Sequence, residues 1–411
     1  TNKCWRPRIT PLTIALPLFL GVFILASFTG VNLSRSFWST YERMTGILTM
    51  LHLFAFFIIL SSVFKRREDW EKILGVSIIV GIFLSLYILL GQEVSTRGGG
   101  TIGNTSFMAA YLVFDIFFAI ILFLSNLFKK DGWSLFWQIF SGISLLIMLP
   151  VLFTSTARGA ITSFYGGLFL LFLGYLIFSQ KKKVKRTGLA IILLLVILGI
   201  TLAVLQPPFI KDKVGVTLEE MNSRFVVWEK GWKGFQERPI LGWGPENFNN
   251  VFLKYYNSCM YLSKCGSEIW FDRVHNIVFD TLVTTGLVGL LSYLAIFAVA
   301  FYGPLKTLPK IVERRNIFIP LGLIVLLIVY FAQNLLVFDM INTYLVFFLS
   351  LAFISFLTQK PTEEKEIRGR VNPVLAFFVI ALMLFVSFAT NIQPLRANSY
   401  IIKIVGSQDV A

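Results

Sequence analysis

The sequence predicts an all-α, polytopic membrane protein with about 11 transmembrane helices and one long extracytoplasmic loop containing an amphipathic helix. Three observations lead there: the composition, the spacing of apolar runs, and a one-sided distribution of positive charge. Of 411 residues, 56% are apolar and 14% charged, and the mean hydropathy is +0.75. A soluble domain carries about 25% charged residues, and a chain of this length could not cover its surface with so few. The same figures exclude a disordered chain. The net charge of +15 does not indicate nucleic acid, because the basic residues sit in short connections between apolar runs and form no aromatic-interleaved patch.

A spanning helix needs about 20 mostly apolar residues. Such runs fall at 11–28, 45–63, 73–91, 105–128, 134–154, 160–178, 187–205, 277–302, 317–336, 343–358 and 373–390. They divide the chain into an N-terminal transmembrane bundle (1–205, about 7 spans), an extracytoplasmic loop domain (206–276), a C-terminal bundle (277–390, about 4 spans) and a tail (391–411). The first run is flanked like an ordinary span rather than like a cleaved leader. The connections 1–10, 64–72, 129–133, 180–186, 303–316 and 358–372 hold 22 of the 37 Lys and Arg, whereas the short turns on the other side hold Arg35, Arg43, Arg97 and Arg158. Positive connections stay in the cytoplasm, so the 206–276 loop and the tail face outward. The expected location is a bacterial-type inner membrane.

Within the loop, Met221, Phe225, Trp228, Trp232 and Phe235 recur at spacings of 4, 3, 4 and 3. That is one stripe of a helix, and two tryptophans on it suit a helix lying on the membrane surface. Pro239-Ile-Leu-Gly-Trp-Gly-Pro245 ends the helical pattern. Cys259 and Cys265, on the oxidising side, are a disulfide candidate. Three cysteines and two histidines give no zinc, iron–sulfur or thioredoxin spacing, and neither a metal nor a cofactor is expected.

Chemistry concentrates on the outward side. His275, at the mouth of the eighth span beside Asn276, can take a proton from a hydroxyl near neutral pH; the plain alternative is a loop-bonded interfacial histidine. Gly286-Leu-Val-Gly289 follows ten residues after Asn276, and reads as a small-residue pair for close helix packing. Arg224 suits a diphosphate, being planar, always charged and bidentate, or a phospholipid head group. Arg158, in Thr154-Ser-Thr-Ala-Arg158, lines a polar pocket or snorkels. Arg35, Arg43 and Arg97 are further outward cations. His52, Asp115 and Asp280 lie within spans and read as polar contacts between helices.

These residues resemble the O-antigen ligase and O-antigen polymerase family. The ligase-type signature, His-Asn/Ser/Gln, nine residues, then Gly-x-x-Gly, is matched by His275-Asn276, residues 277–285, and Gly286 to Gly289. The second signature, Arg-x-x-x-Leu, reads Arg224-Phe-Val-Val-Trp228, with Trp228 in place of Leu. Ser36-Phe-Trp38, Gly103-Asn-Thr-Ser-Phe107, Ala157-Arg-Gly159 and Pro239 to Phe248 are also similar, and the tail from Asn391 to Asn398 resembles a junction to a helical-repeat domain.

The resemblance implies an inverting, metal-independent membrane glycosyltransferase. His275 would be the catalytic base, and Arg224 and Arg158 would hold a polyprenyl-diphosphate-linked glycan donor among the membrane lipids. The acceptor hydroxyl would belong to another glycan, to lipid A-core, or to a protein, giving a polymerase, a ligase or a protein O-oligosaccharyltransferase. The reading from another class is a polysaccharide or lipid transporter, whose pseudo-repeats are not evident.

Overall fold

The apolar runs become helices whose first turns are closed by the small polar residues just before them. Thr10 accepts from Thr13 N, Asn104 from Ser106 N and Phe107 N, and Asp131 from Ser134 N, so the otherwise orphaned amides are satisfied. The computed structural model describes residues 7–40, 42–92, 98–127, 129–205, 221–262, 265, 269–311, 314–359, 372–393, 396 and 400. Arg97, Cys4, the segment 206–220 and most of the expected tail lie outside the described residues.

Among the described residues there are 14 α-helices and no strand, in two compact units divided after Lys360. The first unit contains α1 (Pro11–Thr29), α2 (Leu33–Trp38), α3 (Ile47–Val63), α4 (Arg67–Leu89), α5 (Thr105–Asn126), α6 (Gly132–Thr154), α7 (Arg158–Ile177), α8 (Lys182–Leu205), α9 (Asn222–Glu237), α10 (Phe248–Lys254), α11 (Ile277–Thr307), α12 (Phe318–Asn334) and α13 (Ile341–Leu357). The second contains α14 (Pro373–Ser387). A helix stands at each of the eleven expected runs. Six of them, α1, α4, α5, α6, α7 and α11, are long and apolar enough to cross a membrane, and α3, α12, α13 and α14 are shorter apolar helices.

Helix α5 is the axis of the first unit. It is buried without a break from Phe107 to Ala119, with α4, α6, α7, α12 and α13 around it. Helix α1 packs on α11, α3 on α13, and α7 on α12. Outward faces keep large apolar side chains exposed, among them Phe83 at 67% and Leu146 at 76%, as lipid contact requires. Asp115 accepts from Ser77 at 2.6 Å and so links α4 to α5, the expected kind of contact. His52 corrects its reading: it is exposed and bonds the Leu48 carbonyl of its own helix at 2.7 Å, not a neighbouring helix.

The loop region has its own apolar core, formed by Val227, Trp243, Phe248, Val251, Phe252, Met260, Phe271 and Val274 together with Val283 of α11. Cys259 and Cys265 are disulfide-bonded, with Cα atoms 5.8 Å apart. Helix α9 buries Val227, Lys230, Gly231 and Gly234, while Phe225 and Trp232 of the expected stripe remain exposed. A Cβ at Gly234 would stand 2.4 Å from a Val251 methyl and 2.8 Å from one of Val283. The missing side chain at Gly234 is therefore what lets α9 dock.

Candidate active site

Helix α11 begins at Asn276, whose side-chain oxygen accepts from Val278 N at 3.0 Å and Phe279 N at 3.2 Å. Its amide donates to the Leu335 carbonyl at the end of α12. Asn276 is thus a cap and a strut. His275, the residue before it, adopts a left-handed backbone with φ of 57°. Its Nδ1 lies 3.1 Å from the Arg273 carbonyl. A carbonyl can only accept, so Nδ1 carries the proton and Nε2 keeps the lone pair. The ring stands edge-on to Phe271 and Phe338, with centroids 5.2 and 4.9 Å away. The Phe338 turn is itself pinned at Asp339, which receives bonds from Tyr330, Asn334 and Thr343.

Burial pushes the His275 pKa down to about 4; the Arg273 carbonyl opposes this, the Arg224 charge adds to it, Asp272 opposes it and Arg43 adds to it. The imidazole is neutral at pH 7. Arg43 grips Asp272 in two bonds of 2.6 and 3.0 Å and lies over the Phe338 ring at 4.6 Å. Burial raises the Asp272 carboxyl, but the hydrogen bond and charge of Arg43 outweigh it and leave the pKa below the usual carboxylate value.

Behind His275 lies a buried ionic lock. Arg273 Nη1 donates to Asp280 at 3.2 Å, and Nη2 donates to Thr45 at 2.7 Å and to Glu246. Asp280 also accepts from Val274 N at 3.2 Å. It therefore corrects its reading as a contact between spans: its partners are the residues just before its own helix. Glu246 accepts from Ser39 at 2.8 Å and Thr45 at 3.0 Å, and its carbonyl accepts from Arg35 Nε at 2.7 Å. Sequence reading missed Glu246, Arg273 and Phe338. No periodic signal marks them, because Arg273 lies in the loop before α11 and meets Asp280 only through the turn that leads into the helix.

The Gly286 motif does something other than pack two helices. Gly286 has φ of 69° and breaks α11. The freed Val283 and Thr284 carbonyls accept from Trp243 N at 2.9 Å and Gly244 N at 2.8 Å, while Leu287 N donates to Pro239 O at 2.8 Å and Val288 N to Ile240 O at 3.3 Å. The 239–244 turn is clamped into the break. A Cβ at Gly286 would lie 2.1 Å from the Ile240 oxygen.

Helix α9 brings Arg224 to this centre. Gly231 faces Val274, and Trp228 stacks on Phe279 at 5.8 Å. Arg158 begins α7, and its N–H donates to Thr156 O at 2.9 Å. Thr156 faces Thr105 across 3.4 Å, and Phe107 packs on Phe338 at 5.2 Å. That chain of contacts puts Arg158 at the same end of the bundle, one helix start away, outside the set of charges that shift His275. The structure gathers His275, Arg224, Arg43 and Asp272; it commits Arg35 to Glu246.

A family profile described as O-antigen ligase matches residues 143–294, which hold Arg158, Arg224, Glu246, His275 and Gly286. The chain is 24% identical over 310 residues to an O-antigen ligase of Pseudomonas aeruginosa, covering 72% of this chain and 67% of that protein. It is 22% identical over 205 residues to an uncharacterised protein of Haemophilus influenzae, covering 46% of this chain. The chain spans about half the length of that second relative, 49%. The profile and the Pseudomonas relative are both likenesses to O-antigen ligases, the resemblance that the His275 signature also carries.

Proposed function

We propose that the chain is a membrane glycosyltransferase of the ligase type, moving a glycan from a polyprenyl-diphosphate carrier to an acceptor hydroxyl. The observation that carries this reading is a neutral imidazole, held by Nδ1–H, under the direct influence of the Arg224 cation. Nε2 of His275 accepts the hydroxyl proton as the acceptor oxygen bonds to the anomeric carbon. The carbon–oxygen bond to diphosphate breaks, and its electron pair leaves with the diphosphate. Attack opposite the leaving group inverts the anomeric centre. Arg224 and Arg158 supply fixed positive charge to the leaving group, the part a divalent cation plays elsewhere.

The two reactants adjust one another. A bound diphosphate offsets Arg224 and Arg43, which raises the His275 pKa from about 4 and makes it a better base. The charge asymmetry of the connections supports an inner-membrane protein with this end facing the periplasm or exterior. In that arrangement 1–205 and 277–390 are the membrane bundles, 206–276 is the extracytoplasmic loop domain, and its residues Arg224 and His275 face the donor.

The test is transfer by purified protein from a synthetic polyprenyl-diphosphate glycan in the presence of EDTA. Product anomeric configuration is read by NMR, and product length separates single transfer from polymerisation. Loss of transfer in His275→Ala with retained fold is expected. Strict dependence on added metal, or retention of configuration, would refute the mechanism.

A further inference from the structure

Arg273 is an arginine the transfer reaction does not need as a ligand, yet it is buried and bonded to three residues. Its guanidinium spans three separate pieces of chain: Thr45 before α3, Glu246 after the clamped turn, and Asp280 in the first turn of α11. Its side chain is 12% exposed, that of Glu246 4% and that of Asp280 9%. Burial opposes the Arg273 charge, but Glu246 and Asp280 outweigh it and raise its pKa above the ordinary value. The carbonyl of this same residue takes the Nδ1 proton of His275. A guanidinium fixed on three sides leaves its own carbonyl little freedom to turn. Strain marks the same spot: the four non-glycine residues with positive φ among those described are Ser39, Met44, Glu246 and His275. Ser39 bonds Glu246, and Met44 precedes Thr45.

We propose that Arg273, locked by Glu246 and Asp280, is the positioning residue that holds His275 as its Nδ1–H tautomer and presents Nε2 to the acceptor. Because Glu246 reaches Arg273 from the far side of the clamped 239–244 turn, the lock also ties the aim of the base to the docking of that turn. Arg273 touches no reacting atom; it acts through His275. The role of His275 rests on the transfer reading above, whereas its tautomer does not.

The chain has two histidines, so His52→Gln, at an exposed site whose ring bonds the Leu48 carbonyl and no member of the lock, leaves one imidazole to observe. The measurement is ¹⁵N NMR of histidine-labelled full-length protein in lipid nanodiscs, titrated from pH 3 to 8. Charges facing the ring are Arg224 from α9, Arg43 from the turn before α3, and Asp272 from its own loop. In the parent, a single neutral tautomer protonated at Nδ1 is expected. In Arg273→Lys and in Glu246→Gln, mixed tautomers and a titration moved toward the free-histidine value are expected. Transfer kcat is expected to fall about 10²-fold, as a misplaced catalytic group does, with donor KM within twofold. Asp280→Asn serves as a third probe should Arg273→Lys not fold, checked by size exclusion.

An unchanged tautomer and titration in the folded variants would overturn the proposal. So would a parent ring protonated at Nε2. Changed NMR signals in a protein that transfers no glycan from any lipid-linked donor would refute the transferase reading and leave the lock standing.

Discussion

Replacing Gly286 by alanine tests whether the clamped turn is what the glycine motif is for. Two costs add. An L-residue in left-handed backbone costs about 1–2 kcal/mol. The new Cβ, placed 2.1 Å from the Ile240 oxygen, forces the turn outward and breaks the bonds from Leu287 N and Val288 N, each contributing about 1 kcal/mol. The total is about 3–4 kcal/mol, or roughly 150- to 700-fold on the opening equilibrium of the turn at 1.4 kcal/mol per factor of ten. Hydrogen exchange at Trp243 and Gly244 reads that opening directly, because their amides are bonded to Val283 and Thr284. Gly166→Ala is the control, since a Cβ there meets nothing within 4 Å. Gly242→Ala, whose Cβ would sit 2.5 Å from the Thr284 carbonyl carbon, attacks the same joint from the other side. The double variant should cost less than the sum of the singles. Exchange at Trp243 and Gly244 in Gly286→Ala as slow as in Gly166→Ala would refute the clamp.

Three further outcomes follow from the same geometry. In the proposed mechanism His275 works when neutral, and burial lowers its pKa in the free protein to about 4; kcat/KM for the first-binding substrate should stay level from pH 8 to 6 and fall only as pH drops toward 4. The acidic limb of kcat should lie at higher pH, because bound diphosphate offsets Arg224 and Arg43. Arg224→Gln should raise the His275 pKa in the ¹⁵N titration and weaken donor binding, and a donor KM equal to the parent's would remove Arg224 from the diphosphate. Reducing the Cys259–Cys265 bond, which closes a loop of six-residue separation, should cost the loop core about 2 kcal/mol on chain-entropy grounds. The thermal midpoint with and without reductant measures it, and no shift would mean the cross-link is idle.

The membrane helices were legible because each needs its own backbone hydrogen bonds and a run of apolar side chains in lipid. The buried face of a helix was far less so. Lipid is as apolar as a protein core, so the stripe Phe225–Trp232 of α9 marks a surface that suits lipid, while small residues at Gly231 and Gly234 mark the surface that packs. The His275-Asn276 and Gly286 pattern coincides with two structural features that its spacing does not announce: a cap at Asn276, and a break that admits a second backbone at Gly286. Pairs such as Arg273–Glu246 and Arg43–Asp272, 27 and 229 residues apart, leave no periodic trace. The tautomer of His275 was beyond reach for the same reason, since it depends on a left-handed φ that composition does not announce.

Four strained residues around one ion pair need an explanation in energy. Each left-handed non-glycine position costs about 1–3 kcal/mol and persists only where its surroundings over-determine it. Here the surroundings are the Arg273 lock, with Ser39 and Thr45 donating to Glu246. A buried ion pair is weak evidence for stability, since hydrophobic replacements often stabilise by 1–4 kcal/mol. The lock is therefore better understood as specifying one geometry than as holding the fold together. Hydrophobic packing of α5 and its neighbours would keep the bundle folded with or without it. What would be lost is the fixed relation between a carbonyl, an imidazole and the turn docked at Gly286. A variant with the lock replaced by fitted apolar side chains should therefore melt no lower than the parent while its His275 tautomers mix. A lower melting point with the tautomer intact would mean that the ions support the fold and not the base.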